Sequence, residues 1–301
     1  MGKVAILGPM RRDADDITDE ADAPGKPPVA RVLGQGRDWC VSEYICGAGP
    51  GDRAFEERHE SFTVAAVVEG VFKYRANTGT ALLHSGAFLL GNNGTSFECG
   101  HEHSAGDRCI AFHFEPEFFA EMAASAAGSG RFTFPTGMLP ALPIGVPWLA
   151  RIEVRLARGR QLEADEAVSQ LAELVIGAVS GVKPSLARLS AIDQRRVTDA
   201  LHYIEQHATD ATSLDQLAAV ATMSKYHFLR TFRRIVGMTP YQYLLSIRMR
   251  RAAVRLLTSS ERISSIAFDA GFGDLSTFNC RFREQFGASP TAFRQRERSR
   301  S

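Results

Sequence analysis

The feature that most constrains this chain is an internal repeat. Leu214, Leu217, Ala218 and Ala221 stand at i, i+3, i+4 and i+7, the spacing that puts apolar side chains on one helix face; Ile263, Ile266, Ala267 and Ala270 repeat it 49 residues later. The match continues past each turn. Phe228, Phe232, Val236, Gly237 and Pro240 correspond to Phe278, Phe282, Phe286, Gly287 and Pro290, now 50 residues apart. Each copy reads as helix, short turn, helix, glycine stop, then Thr-Pro or Ser-Pro. The turns Ala221-Thr222-Met223 and Ala270-Gly271-Phe272 are short enough to set two helices at a steep angle, which predicts helix-turn-helix units at 214–237 and 263–287.

Capping residues support those limits. Ser224 is placed to cap the second helix of the first copy and Gly237 to end it. Thr239, Pro240 and Gln242 spell a capping box with proline at the first helical position, opening a long helix from Tyr241 to about Leu257. Leu245, Met249, Ala252, Ala253 and Leu256 give it one apolar face, and Arg248, Arg250, Arg251 and Arg255 extend from its other sides. Such a helix can hold two reading units at a fixed separation. On a wheel of about 100° per residue, with Phe228 and Phe232 inward, Tyr226, Arg230, Arg233 and Arg234 face outward, with Lys225 near the helix start. In the second copy Phe278 and Phe282 point inward, and Ser276, Cys280 and Arg283 point outward beside Thr277 and Asn279. Arginine reads guanine and asparagine reads adenine by paired hydrogen bonds in the major groove, while Lys, Ser and Thr mostly fix phosphates. A small bundle with solvated basic faces is the alternative, and it explains neither the repeat nor the charge.

That charge is divided. Over 301 residues the net formal charge is only +1, but residues 1–182 hold 16 basic and 24 acidic side chains, net −8, and residues 183–301 hold 19 and 10, net +9. The basic part is suited to a polyanion. No apolar run is long enough to span a bilayer, and residues 1–10 lack the apolar core of a secretory signal, so a cytoplasmic protein with no membrane partner is expected. Five cysteines, Cys40, Cys46, Cys99, Cys109 and Cys280, are an odd number, which argues for reduced thiols rather than a disulfide framework.

The acidic part has another period. Residues 1–35, with acidic clusters and Pro24, Pro27 and Pro28, read as a flexible tail. From Asp38 to Pro116, short runs rich in Val, Phe, Ile and Leu alternate with turn residues: Trp39–Cys46, Phe62–Val68, Val71–Arg75, Ala81–Leu83, Ala87–Leu90, Phe97–His101 and Arg108–Phe114. Many short strands without intervening helices predict an antiparallel barrel or sandwich over residues 36–135. Residues 136–184 then read as a helical linker and dimerisation segment, in which Leu171, Leu174, Val175, Ala178 and Val179 form an apolar stripe that needs a partner, either the barrel or a second subunit.

Residues 187–295 resemble the DNA-binding domain of AraC/XylS transcriptional regulators, above all in Ile263-Ser-Ser-Ile-Ala-Phe-Asp-Ala-Gly-Phe-Gly-Asp-Leu-Ser-Thr-Phe278, Arg281-Phe-Arg283, Gln285-Phe-Gly287 and Ser289-Pro290. The resemblance implies a seven-helix unit, within residues 187–301, whose two recognition helices enter successive major grooves. Where that family often carries Arg or another polar reader in the second recognition helix, Cys280 stands here, which implies weaker base reading by that helix. Such regulators usually carry a cupin-like barrel first, and His59-Glu60, Glu69-Gly70 and Ser85–Leu90 resemble its strand and turn signature. The expected fold is therefore α+β with two domains: an N-terminal antiparallel cupin-like β-barrel with a helical extension, and a C-terminal all-α double helix-turn-helix.

The segment Cys99-Gly-His101-Glu-His103-Ser-Ala-Gly-Asp107-Arg-Cys109 stands apart from this pattern. An extended strand would put Cys99, His101 and His103 on one face, with Asp107 and Cys109 returning on the next strand. Imidazoles and thiolates are ligands for zinc, copper or nickel, and His59 would be a further one on a neighbouring strand. Cys40 and Cys46 share a face by even spacing and read as packing residues. Three readings of the cluster stay open: a metal site, a thiol redox sensor using Cys99 and Cys109, and a polar hairpin lining an organic-ligand pocket.

The chain thus reads as a transcription regulator, activator or repressor and not an enzyme. Its DNA-binding residues are Lys225, Tyr226, Arg230, Arg233, Ser276, Thr277, Asn279 and Arg283; its partners are double-stranded promoter DNA, an unidentified effector, a second copy of itself and RNA polymerase. A metal-dependent cupin enzyme fused to a DNA-targeting module, a redox-sensing regulator and an architectural DNA binder are the alternatives. No Gly-Lys-Ser phosphate loop, Gly-x-Ser-x-Gly elbow or His-Glu-x-x-His helix is present.

Overall fold

The computed structural model describes residues 28–54, 56–101, 105–140, 145, 148, 150, 165–180 and 190–299. His103, most of residues 1–35 and most of the 136–184 segment lie outside the described residues.

The first domain is built on β1 (Val29–Gln35), β2 (Trp39–Cys46), β3 (Glu56–Arg58), β4 (Phe62–Ala76), β5 (Gly79–His84), β6 (Phe88–Gly91), β7 (Ser96–Gly100), β8 (Asp107–Phe114) and β9 (Met138–Leu139). Pairing is antiparallel throughout, in the order β1-β2-β8-β4-β6-β9, with β5 and β7 also on β4 and β3 on β7. Two expectations are corrected here. Residues 29–35, read as flexible tail, form an edge strand: its side chains are mostly exposed, and its order comes from backbone bonds to β2, which leave no apolar period to detect. The break expected between Phe62–Val68 and Val71–Arg75 is instead a bulge, between Val67 and Glu69, inside one 15-residue strand. Gly70 has φ +90°, and a Cβ there would sit 2.5 Å from the carbonyl oxygen of Gly106 and 2.8 Å from Asp107 Cα, so glycine alone lets β4 and β8 approach. Up to Gly70 β4 pairs with β8 and β6, and beyond it with β5 and β7, so one strand closes both halves of the barrel.

Alternation along the strands separates two cores. Val64, Ala66, Val68, Ile110, Phe112 and Phe114 pack outward against α1 (Pro116–Ala127) and α2 (Asp165–Val179), while Ala65, Val67, Cys109 and Ala111 join Phe72, Tyr74 and Leu83 inside. Leu171, Val175 and Val179 of the expected stripe are buried in the outer cluster, with Leu174 and Ala178 packed against it. The stripe's partner is therefore the barrel face of its own chain.

The second domain comprises α3 (Ala191–Gln206), α4 (Leu214–Val220), α5 (Lys225–Val236), α6 (Pro240–Thr258), α7 (Ile263–Asp269), α8 (Leu275–Phe286) and α9 (Pro290–Ser299). Phe228 and Phe232, and in the second unit Phe278 and Phe282, are fully buried. The apolar residues of α6 serve both units: Tyr243, Leu244 and Ile247 pack with the first and Met249, Ala252, Ala253 and Leu256 with the second. The first unit's core also contains Val71 and Leu82 of the barrel, so apolar packing runs across the domain boundary.

Candidate functional site

The outward faces of α5 and α8 form the candidate nucleic-acid interface. Tyr226 is 85% exposed, and Lys225, Arg230, Arg233 and Arg234 are exposed around it. Lys225 pairs with Asp215 at 2.7 Å and Arg234 with Asp193 at 2.9 Å, which holds both ends of this face to α4 and α3. On α8, Ser276, Thr277, Cys280 and Arg283 are exposed and Asn279 is half-buried. Cys280 Sγ lies 3.5 Å from Glu284 Oε1, and Arg281 pairs with that carboxylate at 3.0 Å. Glu284 occupies the repeat position of Arg234, so the second face is less cationic than the first. The N-caps differ from expectation: Ser224 holds the cap position of α5 without a side-chain cap bond, whereas Asp274, unnoticed in the sequence, caps α8 by accepting from Thr277 N at 2.7 Å. The Thr239–Gln242 capping box at α6 is formed as expected.

The arginines of α6 hold structure rather than facing outward together. Arg248 donates to three carbonyl oxygens, Ala208 at 2.6 Å, Gly271 at 2.7 Å and Asp210 at 2.8 Å, tying the turn of the second unit to the segment after α3. Arg251 donates to Glu205 O at 3.0 Å, and Arg255 binds Asp269 at 2.8 Å and Glu261. Arg250 is buried and donates to Val68 O of the barrel at 2.8 Å. His84 lies between two carbonyls, Ser85 O at 3.2 Å and Val236 O at 3.3 Å, with its ring edge-on to Tyr243. The end of recognition helix α5 is thereby joined to β5.

Register assembles the barrel interior. Cys40, Ser42, Tyr44 and Cys46 of β2 stand opposite His113, Ala111, Cys109 and Asp107 of β8, and directly opposed residues share a face. At one end of this row, His113 lies 3.2 Å from Tyr44 Oη and 3.3 Å from Thr63 Oγ1. His59 bonds Tyr74 Oη at 2.9 Å and stacks on Phe97 at 4.1 Å. Burial lowers the pKa of both imidazoles to about 4, and at His59 the His113 ring adds to the shift. His59 is thus bonded inside the barrel and is not among the residues whose ligand atoms gather with His101.

At the other end, β7 stops at Gly100, so the single-strand geometry expected through His103 does not extend to His101. His101 instead meets Asp107, Nε2 to Oδ2 at 2.6 Å, with Cys109 Sγ 3.3 Å from Asp107 Oδ1. Cys46, read as a packing residue, joins them: ligand atoms of Cys46, His101 and Asp107 lie within 4.8 Å of one another. Burial opposes charge on His101, but Asp107 and Cys46 outweigh it and raise its pKa to about 9. Burial, then Glu57 and Asp107, pushes the Cys99 thiol well up, and burial, then Asp107, does the same to Cys109. A redox-sensing thiolate needs the opposite shift.

Comparison with known proteins agrees with this division. A family model described as AraC-like ligand binding domain matches residues 40–194, just over half of the chain, and one described as helix-turn-helix domain matches residues 217–296. The MmsAB operon regulatory protein of Pseudomonas aeruginosa is 34% identical over 101 residues, covering 33% of this chain and 33% of that protein. Regulatory protein SoxS of Escherichia coli is 32% identical over 103 residues, 34% of this chain and 96% of that protein. A crystal structure of the DNA-binding domain of AdpA in complex with a target DNA is 31% identical, covering 35% of this chain and 95% of that chain, with a TM-score of 0.34. The match thus spans about a third of the length of the first relative.

Proposed function

The chain belongs to the AraC family of DNA-binding transcription regulators, and from that premise we propose that it reads double-stranded promoter DNA with α5 and α8 under the control of a small molecule or metal held in the barrel. The observation that carries this is the Arg248 bracket. By fixing the turn of the second helix-turn-helix to the segment after α3 through three carbonyls, it gives the two recognition helices one rigid frame, which two grooves of a continuous duplex require. Exposed Tyr226, Arg230 and Arg233 supply a base-reading and phosphate-binding face. The barrel interior supplies convergent polar groups, Tyr44, His59, Tyr74 and His113, among apolar walls, as a small-molecule site does.

Ligand control needs a path to the DNA-binding domain, and Arg250 with His84 supports one: both cross from the barrel to the α5–α6 region. The reading includes a homodimer, contact with RNA polymerase, a cytoplasmic location and no catalytic turnover of the effector. No described helix is long and apolar enough to cross a membrane.

The test is selection from a random-sequence duplex library with the full-length protein, followed by anisotropy titration of the selected site. A shared motif bound roughly a thousandfold or more above random DNA is expected, with affinity falling steeply with salt. Binding indifferent to sequence would leave only an architectural role. Sedimentation of the complex gives the stoichiometry, and recovery of an effector chemically changed would establish an enzyme.

A further inference from the structure

Resting on the reading of the barrel as the sensing domain, we propose that its rim binds one divalent transition-metal ion of the zinc class, through Cys46 Sγ, an imidazole nitrogen of His101 and the Asp107 carboxylate. The three come from separate stretches, the end of β2, the residue after β7 and the start of β8, and the fold alone brings their ligand atoms within 4.8 Å of one another. Cys46 and Asp107 are paired across the β2–β8 ladder, so the backbone fixes two of the three corners. Gly70, just past the bulge and paired with Asp107, lets β4 lie against that residue and fixes the start of β8 in turn.

The donor set defines the ion. One sulfur, one imidazole nitrogen and one carboxylate is a mixture that tetrahedral zinc accepts, whereas magnesium and calcium take oxygen alone. Ligand atoms around an ion bound at roughly 2.0–2.3 Å stand roughly 3.3–3.8 Å apart. The His101–Asp107 contact of 2.6 Å therefore opens as the ion displaces the proton between them, and the widest separation closes. Cys109 Sγ, 3.3 Å from Asp107 Oδ1, is the adjacent donor for the fourth position. The side chains of His101 and Asp107 are 3% and 8% exposed and Cys46 is half-buried, so the ion is shielded from water and enters past the thiol. An ion pair that merely fastened His101 to β8 would need no sulfur at the third corner.

Reduced, metal-free, full-length protein is titrated with cobalt(II) alone and then with zinc alone. We expect one cobalt per chain, with the near-ultraviolet charge-transfer absorption of a cobalt–thiolate bond, displaced by one equivalent of zinc. Cys46→Ala and His101→Gln each weaken binding by at least about tenfold, while Cys40→Ala, in the same row at the far end of β2, leaves it unchanged. Circular dichroism of each variant separates ligand loss from unfolding. Cys46→Ala is the decisive one, since a half-buried thiol at a strand end is the smallest change. Absence of the charge-transfer band in the wild type, or a cobalt affinity undiminished in Cys46→Ala, overturns the site. The metal-free and zinc-treated preparations are both titrated with the selected duplex: sequence-specific DNA binding without metal binding removes this inference only, and absence of sequence-specific binding in both preparations of a folded protein removes the functional reading beneath it.

Discussion

Arg250, in the middle of α6, donates through Nη2 to the backbone carbonyl of Val68 at 2.8 Å, joining residues 182 apart in sequence and in different domains. Ser85 Oγ donates to the same oxygen at 3.2 Å. Arg250→Met keeps the apolar stem and removes the guanidinium, which leaves the carbonyl less well satisfied in a buried boundary. A loss of about 1–3 kcal/mol in urea unfolding is expected, with the salt slope of DNA binding unchanged because the side chain turns away from the recognition faces. A slope smaller by about one would instead identify Arg250 as a phosphate contact.

The turns of the two units share a left-handed residue at their centre. Thr222 has φ +50° and its repeat partner Gly271 has φ +84°. A Cβ at Gly271 would lie 2.7 Å from Thr209 O and 2.9 Å from Arg248 Cζ, so Gly271→Ala both strains the backbone and displaces the arginine bracket. We expect a loss of about 2 kcal/mol or more together with weaker binding to the two-groove site. Thr222→Gly should change stability by less than about 1 kcal/mol, because relief of strain is offset by greater freedom of the unfolded chain. Equal effects in paired urea titrations would show that the contacts of Gly271 do not matter.

What the sequence disclosed and what it concealed follows from the range of the interactions. Phe228 with Phe232 and Phe278 with Phe282 repeat within one helix turn, so their burial was readable from spacing alone. The 15 residues of β4 read as two strands because an apolar alternation restarts after Gly70, and periodicity does not distinguish a bulge from a turn. Arg248 and Arg250 occupy positions that a helical wheel assigns to solvent; only the tertiary fold supplies the carbonyls they bind. Cys46 was set aside for the same reason. Its partner Asp107 is chosen by the register of β2 against β8, which one-strand reasoning does not contain.

The two recognition helices should contribute unequally. Arg230 is exposed on α5, and its repeat position on α8 is Cys280, beside Glu284. Arg230→Ala is expected to cost about 1–3 kcal/mol at one base position, and Cys280→Ala less than about 0.5 kcal/mol. Arg233→Ala should lower the salt slope by about one without changing the preferred sequence. Binding to a panel of single-base operator variants measures all three, and a uniform loss across the panel for Arg230→Ala would assign that residue to the phosphates.

Acid should loosen the domain boundary. His84 is fully buried, and burial holds its pKa near 4 even though the Ser85 and Val236 carbonyls favour the proton; Tyr243 of α6 meets its ring edge-on. His113, in the barrel interior, is held near the same value by burial. A folded pKa below the ordinary 6.5 means that the unfolded chain binds the proton first. Each histidine therefore costs no stability above about pH 6.5 and withdraws it progressively as pH falls toward 4, on the order of 3 kcal/mol apiece at full separation. The urea midpoint should drop over that window, and His84→Gln, which keeps a donor for one carbonyl, should reduce the slope by about one proton. A His84→Gln profile as steep as the wild type would show that the ring is hydrated in solution and that the boundary opens without it.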